Sequence, residues 1–169
     1  MKIKIFTTGG TIDKDYLETK GIYNFSFGKP AINEMSQNKV KLNFDYSIKP
    51  LFAKDSLKMK GKLYMNEADR QLIKKACQRT KENKILITHG TDTMIDTAKI
   101  LSTIPNKIIV LTGASQPYKF HESDAEFNIG VAIGALNVLE KGVYISMNGR
   151  VYEWDKCEKR SDGWFVDKR

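Results

Sequence analysis

A chain of 169 residues with 41% hydrophobic and 28% charged residues is long enough to bury one real core, and its composition excludes disorder and coiled coil. No stretch nears the roughly 18 apolar residues needed to span a bilayer, and Met1 to Gly10 lacks the apolar run of a secretory signal. Twenty-eight Lys and Arg against 20 Asp and Glu give a formal charge of +8. The lysines are spread along the chain, with one modest cluster from Lys54 to Lys62 and no basic stripe interleaved with aromatics, so a solvated basic surface is expected rather than a nucleic-acid partner.

In chain order, Lys2 to Thr7 reads as a first strand. It runs into Thr8-Gly-Gly-Thr11, whose paired glycines allow a tight turn and close approach of a ligand. Residues 13 to 28 have no helical period and read as a loop or loose hairpin; Pro30 to Gln37 reads as a short helix, and Val40 to Ile48 alternates as a strand. Asn66 is a good N-cap for a helix to about Lys81, with Asp69 at its third position and Leu72, Ile73 and Ala76 on its apolar side.

Lys84 to Thr88 is a compact strand, and Thr91 or Asp92 then opens a helix carrying Met94, Ile95, Ala98 and Leu101 on one face. Lys107 to Thr112 is a further buried strand. Ser123 caps the most apolar helix, Asp124 to Leu139, and Gly142 to Met147 is the last parallel strand. Asn148-Gly149 is a hairpin turn before Val151-Tyr152. Strands alternating with helices, and inner strands that are apolar throughout, predict a three-layer α/β/α domain. Its sheet is mostly parallel and flavodoxin-like, with a C-terminal hairpin.

Ligands of such sheets bind at the carboxyl ends of the strands. Sequence order brings Thr8-Gly-Gly-Thr11, His89-Gly-Thr-Asp92, Gly113-Ala-Ser115 and the segment Gly149 to Arg160 to that edge. A threonine hydroxyl becomes a nucleophile only with a base or cation to ease loss of its proton. Asp92 adjoins Thr91, Lys156 or Lys159 could reach both, and backbone N–H groups of the glycine turn could hold an oxyanion. Equally, Thr91 could be a plain helix N-cap and Thr-Gly-Gly-Thr a structural turn. An anion cradle is a third reading, although neither GxxxxGK[ST] nor GxGxxG is present.

Thr7-Thr-Gly-Gly-Thr-Ile12 and Ile87-Thr-His-Gly-Thr-Asp-Thr-Met94 resemble the two signature motifs of the bacterial-type L-asparaginase/glutaminase family of threonine amidohydrolases. Similarity extends through Val110 to Ala114, Ser123 to Asn128 and Val143 to Asn148. It spans nearly the whole chain but only the N-terminal domain of two-domain members. The resemblance therefore implies a single domain over residues 1–169, as in the short branch of the family.

The resemblance makes Thr11 the nucleophile toward a side-chain amide, and Thr91, Lys159 and Asp92 a proton-relay set. Lys159 falls on the family lysine when counted without gaps from Met147-Asn148. Family members also use a tyrosine on the loop after the first motif. Phe25 stands where that tyrosine would align, which leaves Tyr16 and Tyr23, and Tyr16 is favoured because it lies nearer Thr11 in sequence. Gly10, Asp55, Ser56, Gly90 and Ala114 are the implied substrate-binding positions. Asp92 would also meet the substrate ammonium, and Ala114 would offer its carbonyl to the leaving amide. Lys58 to Tyr64 reads as a local insertion, with Lys58 where family members often carry an acidic residue.

His89 is expected to be a structural hydrogen-bonder and His121 an exposed loop residue. Cys77 and Cys157 show no metal spacing, so no metal or cofactor is expected and the compartment is a reducing cytoplasm. Two-domain members supply a further acidic residue from a neighbouring subunit. Here a second copy in a homodimer or higher homo-oligomer would have to replace it. The expected reaction is hydrolysis of L-asparagine to L-aspartate and ammonia. Glutamine or another small amide is the alternative substrate, and a non-catalytic amide-binding module the alternative role.

Overall fold

The structure, a computed structural model, describes residues 1–19, 22–38, 40–57 and 61–168. Five parallel strands form the core of one sheet: β1 (Lys2–Gly9), β4 (Asp45–Lys54), β5 (Lys84–Thr88), β6 (Ile108–Thr112) and β7 (Gly142–Met147). Their spatial order is β4-β1-β5-β6-β7, the second-first-third-fourth-fifth order of a flavodoxin-like sheet, and β8 (Arg150–Glu153) adds antiparallel to β7. Two small hairpins stand outside it, β2 (Lys14–Thr19) with β3 (Ile22–Phe27) and β9 (Cys157–Lys159) with β10 (Phe165–Asp167).

The period of two in the strands divides the core between the two faces. Ile3, Ile5, Leu86 and Val110 point toward helices α1 (Ala31–Asn38) and α4 (Ala125–Val138). Ile85, Ile87, Ile109, Leu111 and Ile145 point toward α2 (Glu67–Arg79) and α3 (Met94–Leu101), where Cys157 and Phe165 of the β9–β10 hairpin also pack. The three-layer α/β/α reading and the closing hairpin are therefore correct.

Threonines fix the carboxyl edge of the sheet. Thr8 Oγ1 donates to the Thr88 carbonyl at 2.9 Å and Thr112 Oγ1 to the Ser146 carbonyl at 2.8 Å, while the His89 N–H donates to the Thr112 carbonyl at 2.9 Å. Each strand end is thus tied to its neighbour at the level where the loops depart. Asn148 and Gly149 both have positive φ, 53° and 82°, as the two-residue β7–β8 turn requires.

Several expected boundaries move. The strand placed at Val40 to Ile48 runs from Asp45 to Lys54, because its register is set by pairing Lys2 with Asp45. Within residues 13 to 28, Lys14–Thr19 pairs antiparallel with Ile22–Phe27, the hairpin alternative of the expected reading, while residues 20–21 lie outside the described residues. Asn66 does cap α2, in a capping box with Asp69, but α2 ends at Arg79 and Leu72 is 45% exposed, Cys77 taking its place in the core. Neither Thr91 nor Asp92 opens α3, which begins at Met94 after a turn. Ser123 Oγ does accept from the Ala125 N–H at 3.1 Å, although Asp124 is the residue that enters α4. Of the expected insertion, residues 58–60 lie outside the described residues, and the remainder closes on Asp55 through its N–H to the Leu63 carbonyl.

Candidate active site

The chain leaves β1 through Gly9 and Gly10, with φ of 90° and 84°, and enters a single 3-10 turn, Thr11–Asp13. A Cβ on Gly10 would fall 2.5 Å from Gly90 Cα, and one on Gly90 would collide with Ser56 Oγ. The two signature loops are therefore in backbone contact, which only glycines permit. Asp13 sets the turn from below: its carboxylate accepts from the Ala31 N–H at 2.8 Å and its carbonyl from the Gly28 N–H at 3.0 Å. Burial raises the Asp13 carboxyl to about 7, with the Ala31 and Gly9 N–H groups pulling against it.

Thr91 and Asp92 occupy the turn between β5 and α3, and the β9–β10 hairpin brings Lys159 to them from far along the chain. Lys159 Nζ donates to Thr91 Oγ1 at 2.8 Å and to Asp92 Oδ1 at 2.7 Å. Asp92 is held in turn by its N–H, which donates to Ser56 Oγ at 3.1 Å. A single ammonium thus bridges a hydroxyl and a carboxylate at the mouth of a cleft of about 440 Å³, lined by Thr11, Thr91, Ala114, Asn148, Lys159 and Trp164 among others. Such a cleft has room for a small amide and carries a hydroxyl on each of two loops.

His89 is fully buried, with Nδ1 2.7 Å from the Gly90 carbonyl and Nε2 2.9 Å from Thr97 Oγ1. Burial lowers its pKa to about 4, so the ring is neutral, donating from Nδ1 and accepting at Nε2. It supports the loop and does not reach the cleft, as expected of a structural hydrogen-bonder.

Two expected positions lie elsewhere. Tyr16 is 39% exposed and packs on Phe25 and Phe120, with ring centroids 6.3 and 5.7 Å away, and it is not among the residues lining the cleft. The Tyr23 side chain lies outside the described residues. Asp55 is buried against Lys14, its Oδ2 2.5 Å from Nζ, and its Oδ1 accepts from the Leu57 N–H. That carboxylate is turned to the protein, with the Phe25 ring 4.2 Å above the Lys14 ammonium. Gly10 and Gly90 belong to the two threonine loops, Ser56 lies against Gly90, and Ala114 lines the cleft.

Sequence reasoning missed the frame behind Ala114. The Asp124 carboxylate accepts from the N–H groups of Ser115 and Gln116 at 2.9 and 3.0 Å. Asn128 Nδ2 donates to the Gly113 carbonyl at 3.0 Å and Asn128 Oδ1 accepts from the Asn148 N–H at 2.9 Å. One helix end therefore ties together the loops after β6 and β7. The signal was present, since Ser123 to Asn128 belongs to the family similarity, but a capping pattern explains an Asp and an Asn at a helix start equally well. Asp162 and Trp164 also line the cleft, just beyond the segment ending at Arg160.

Residues 2–163 match the family model of the asparaginase N-terminal domain. The chain belongs to the asparaginase family. It is 28% identical over 159 residues to the glutaminase-asparaginase of Acinetobacter glutaminasificans, covering 89% of this chain and 47% of that protein. It is 36% identical over 107 residues to a glutamyl-tRNA(Gln) amidotransferase polypeptide of Methanococcus maripaludis, covering 56% of this chain and 26% of the relative. Among solved structures, the thermostable L-asparaginase of Thermococcus kodakarensis superposes with a TM-score of 0.78 at 23% identity, over 99% of this chain and 51% of the other. The probable cytoplasmic L-asparaginase of Campylobacter jejuni gives 0.75 at 25%, over 98% and 52%. The chain spans between about a quarter and a half of the length of these relatives. Thr11, Thr91, Asp92 and Lys159 all fall inside the family match.

Proposed function

We propose that this chain hydrolyses the side-chain amide of L-asparagine to L-aspartate and ammonia. The observation that carries this reading is the Lys159 ammonium placed between Thr91 and Asp92 within hydrogen-bond distance of both, beside a cleft that Thr11 also lines. In this reading the Thr11 hydroxyl proton passes to the relay as Oγ attacks the amide carbon, and the relay returns it to the leaving nitrogen, which departs as ammonia and leaves an ester on Thr11. Water then cleaves the ester and frees aspartate. Thr91, Lys159 and Asp92 form the relay: Nζ gives a proton to Asp92 as it takes one from Thr91, and the transfer reverses when the leaving nitrogen is protonated. Tyr16 would have to leave the Phe25 and Phe120 rings to assist Thr11.

Glutamine is the second substrate to consider, because the Acinetobacter relative is a glutaminase-asparaginase and several relatives are amidotransferase polypeptides named for glutamyl-tRNA(Gln). Cytoplasmic location and assembly of homo-oligomers belong to the same proposal. The former is supported by the likeness to the probable cytoplasmic L-asparaginase of Campylobacter jejuni. Sedimentation equilibrium reads the assembly directly.

The test is ammonia release from L-asparagine and L-glutamine at about 10 mM, above the usual KM range, by the wild type and by Thr11→Val. The reading expects release from asparagine that disappears in the variant while its circular dichroism stays unchanged. Equal release by the variant overturns it, and faster release from glutamine transfers the assignment to that amide.

A further inference from the structure

A second cavity, of about 630 Å³, shares no lining residue with the threonine cleft. It lies between α2 and the β4 edge of the sheet. Strands β1 and β4 pair in parallel with Phe6 opposite Lys49, so the period of two brings Lys4 and Phe6 of β1 and Lys49 and Leu51 of β4 to one face. Across from them α2 presents Leu72, Lys75, Ala76 and Arg79, spaced three and four residues apart along one stripe. Phe6 closes the floor, Leu51 is half-buried and Leu72 is open to solvent.

Four cations reach this hollow from three elements, Lys4 from β1, Lys49 from β4, and Lys75 and Arg79 from α2, and among the described residues no carboxylate lines it. The carboxylates of α2 and of the turn after it are engaged elsewhere. Asp69 pairs with Lys54 at 2.7 Å, Glu67 accepts from Gln71, and Glu82 takes the Thr80 hydroxyl and Lys2. Lys4 Nζ donates to Ser47 Oγ at 3.1 Å, whereas among the described residues no hydrogen bond or ion pair engages the side chains of Lys49, Lys75 or Arg79.

Fold stability accounts for only part of this charge. Lys49-Pro50 suits an edge strand, where both residues discourage pairing with another chain. Arg79 stands in the last turn of α2, where a cation meets the negative end of the helix. That end is already met by Lys107, whose Nζ donates to the Thr80 and Glu82 carbonyls at 2.7 Å each. Lys75 and Arg79, four residues apart on one helix face, are a like-charge pair that works against the helix. An anion seated between them turns that repulsion into attraction.

We propose that this hollow binds a nucleoside polyphosphate, with Lys49, Lys75 and Arg79 holding the phosphates and Leu51 and Leu72 covering the base. The apolar floor calls for a flat apolar group, and the unpaired cations call for several negative charges on the same molecule. Cations that converge on one cavity from three elements fit a compact ligand, and the volume is that of a small-molecule site. An extended nucleic-acid backbone would instead be met by a basic stripe. Because the two cavities share no lining residue, this site stands or falls apart from the amide-hydrolase reading.

Isothermal titration of the whole chain with ATP, adenosine and inorganic tripolyphosphate tests the site. ATP should bind with a Kd of about 100 μM or below, and adenosine and tripolyphosphate each at least about tenfold more weakly. Lys75→Ala with Arg79→Ala should weaken ATP at least about tenfold, with unchanged circular dichroism. Lys99→Ala with Lys168→Ala removes the same charge elsewhere on the surface and should leave ATP binding within about twofold. Leu72→Ser should weaken ATP about threefold and leave tripolyphosphate unaffected. No saturable ATP binding at about 1 mM overturns the proposal. So does tripolyphosphate binding as tightly as ATP, or an equal loss in the two double variants.

Discussion

Asp13 and His89 sit directly beneath the two threonine loops, and burial shifts them in opposite directions with opposite consequences. The Asp13 carboxyl, raised from 3.8 to about 7, binds a proton in the folded state that the unfolded chain has released. Its contribution to stability therefore falls as pH rises through that window. His89, lowered from 6.5 to about 4, is neutral when folded while the unfolded chain is protonated, so its contribution is lost as pH falls from 6.5 toward 4. The two slopes partly cancel in the wild type. Asp13→Asn isolates one of them: the amide keeps an oxygen for the Ala31 N–H, and its urea-measured stability relative to wild type should climb from about pH 4 to about pH 8. A parallel pair of pH profiles would show that Asp13 is not held protonated. Both cysteines are free and buried, with thiols raised to about 12 for Cys77 and about 11 for Cys157. Neither should be alkylated in the native protein at neutral pH, which mass spectrometry after a thiol reagent reads directly.

Among the elements, the β2–β3 hairpin depends on one buried ion pair. Lys14 and Asp55 have side chains 10% and 4% exposed, so removing the cation strands a carboxylate inside the protein. Lys14→Met should cost about 3 kcal/mol in denaturant unfolding, and Lys14→Met with Asp55→Leu should recover most of it. If the double variant is no more stable than the single, the pair does not pin the hairpin. The sequence displays this hairpin only as a segment without helical period, because Lys14 and Asp55 are 41 residues apart in the chain and their pairing has no local pattern. Asp55 as a substrate-binding position rests on the family resemblance, and its ion pair with Lys14 has no local signal in the sequence. In contrast, β5 is legible to the residue, since the apolar run Ile85-Leu86-Ile87 is bounded by Lys84 and Thr88 and by polar turns. Strand β4 slides along the sequence because an edge strand carries a weak alternation, and only its register with β1 fixes where it begins. The turn before α3 escapes a sequence reading because Thr91, Asp92 and Thr93 are all residues that commonly start helices.

At the scale of the whole molecule, the strand order places four loops at one edge of the sheet, and that edge is readable from the alternation of strands and helices alone. What alternation does not supply is the inward reach of Lys159, which is set by pairing of β9 with β10 and by Cys157 and Phe165 packing in the core. The proposed relay requires that Thr91 and Lys159 act as one unit. That requirement is tested most directly by kcat/KM for L-asparagine in Thr91→Val, Lys159→Met and the double variant. Groups that act as a unit are lost together, so each single variant should fall by at least about a thousandfold and the double variant should fall little further. Losses that multiply in the double variant, or a single variant within about tenfold of wild type, would contradict the relay.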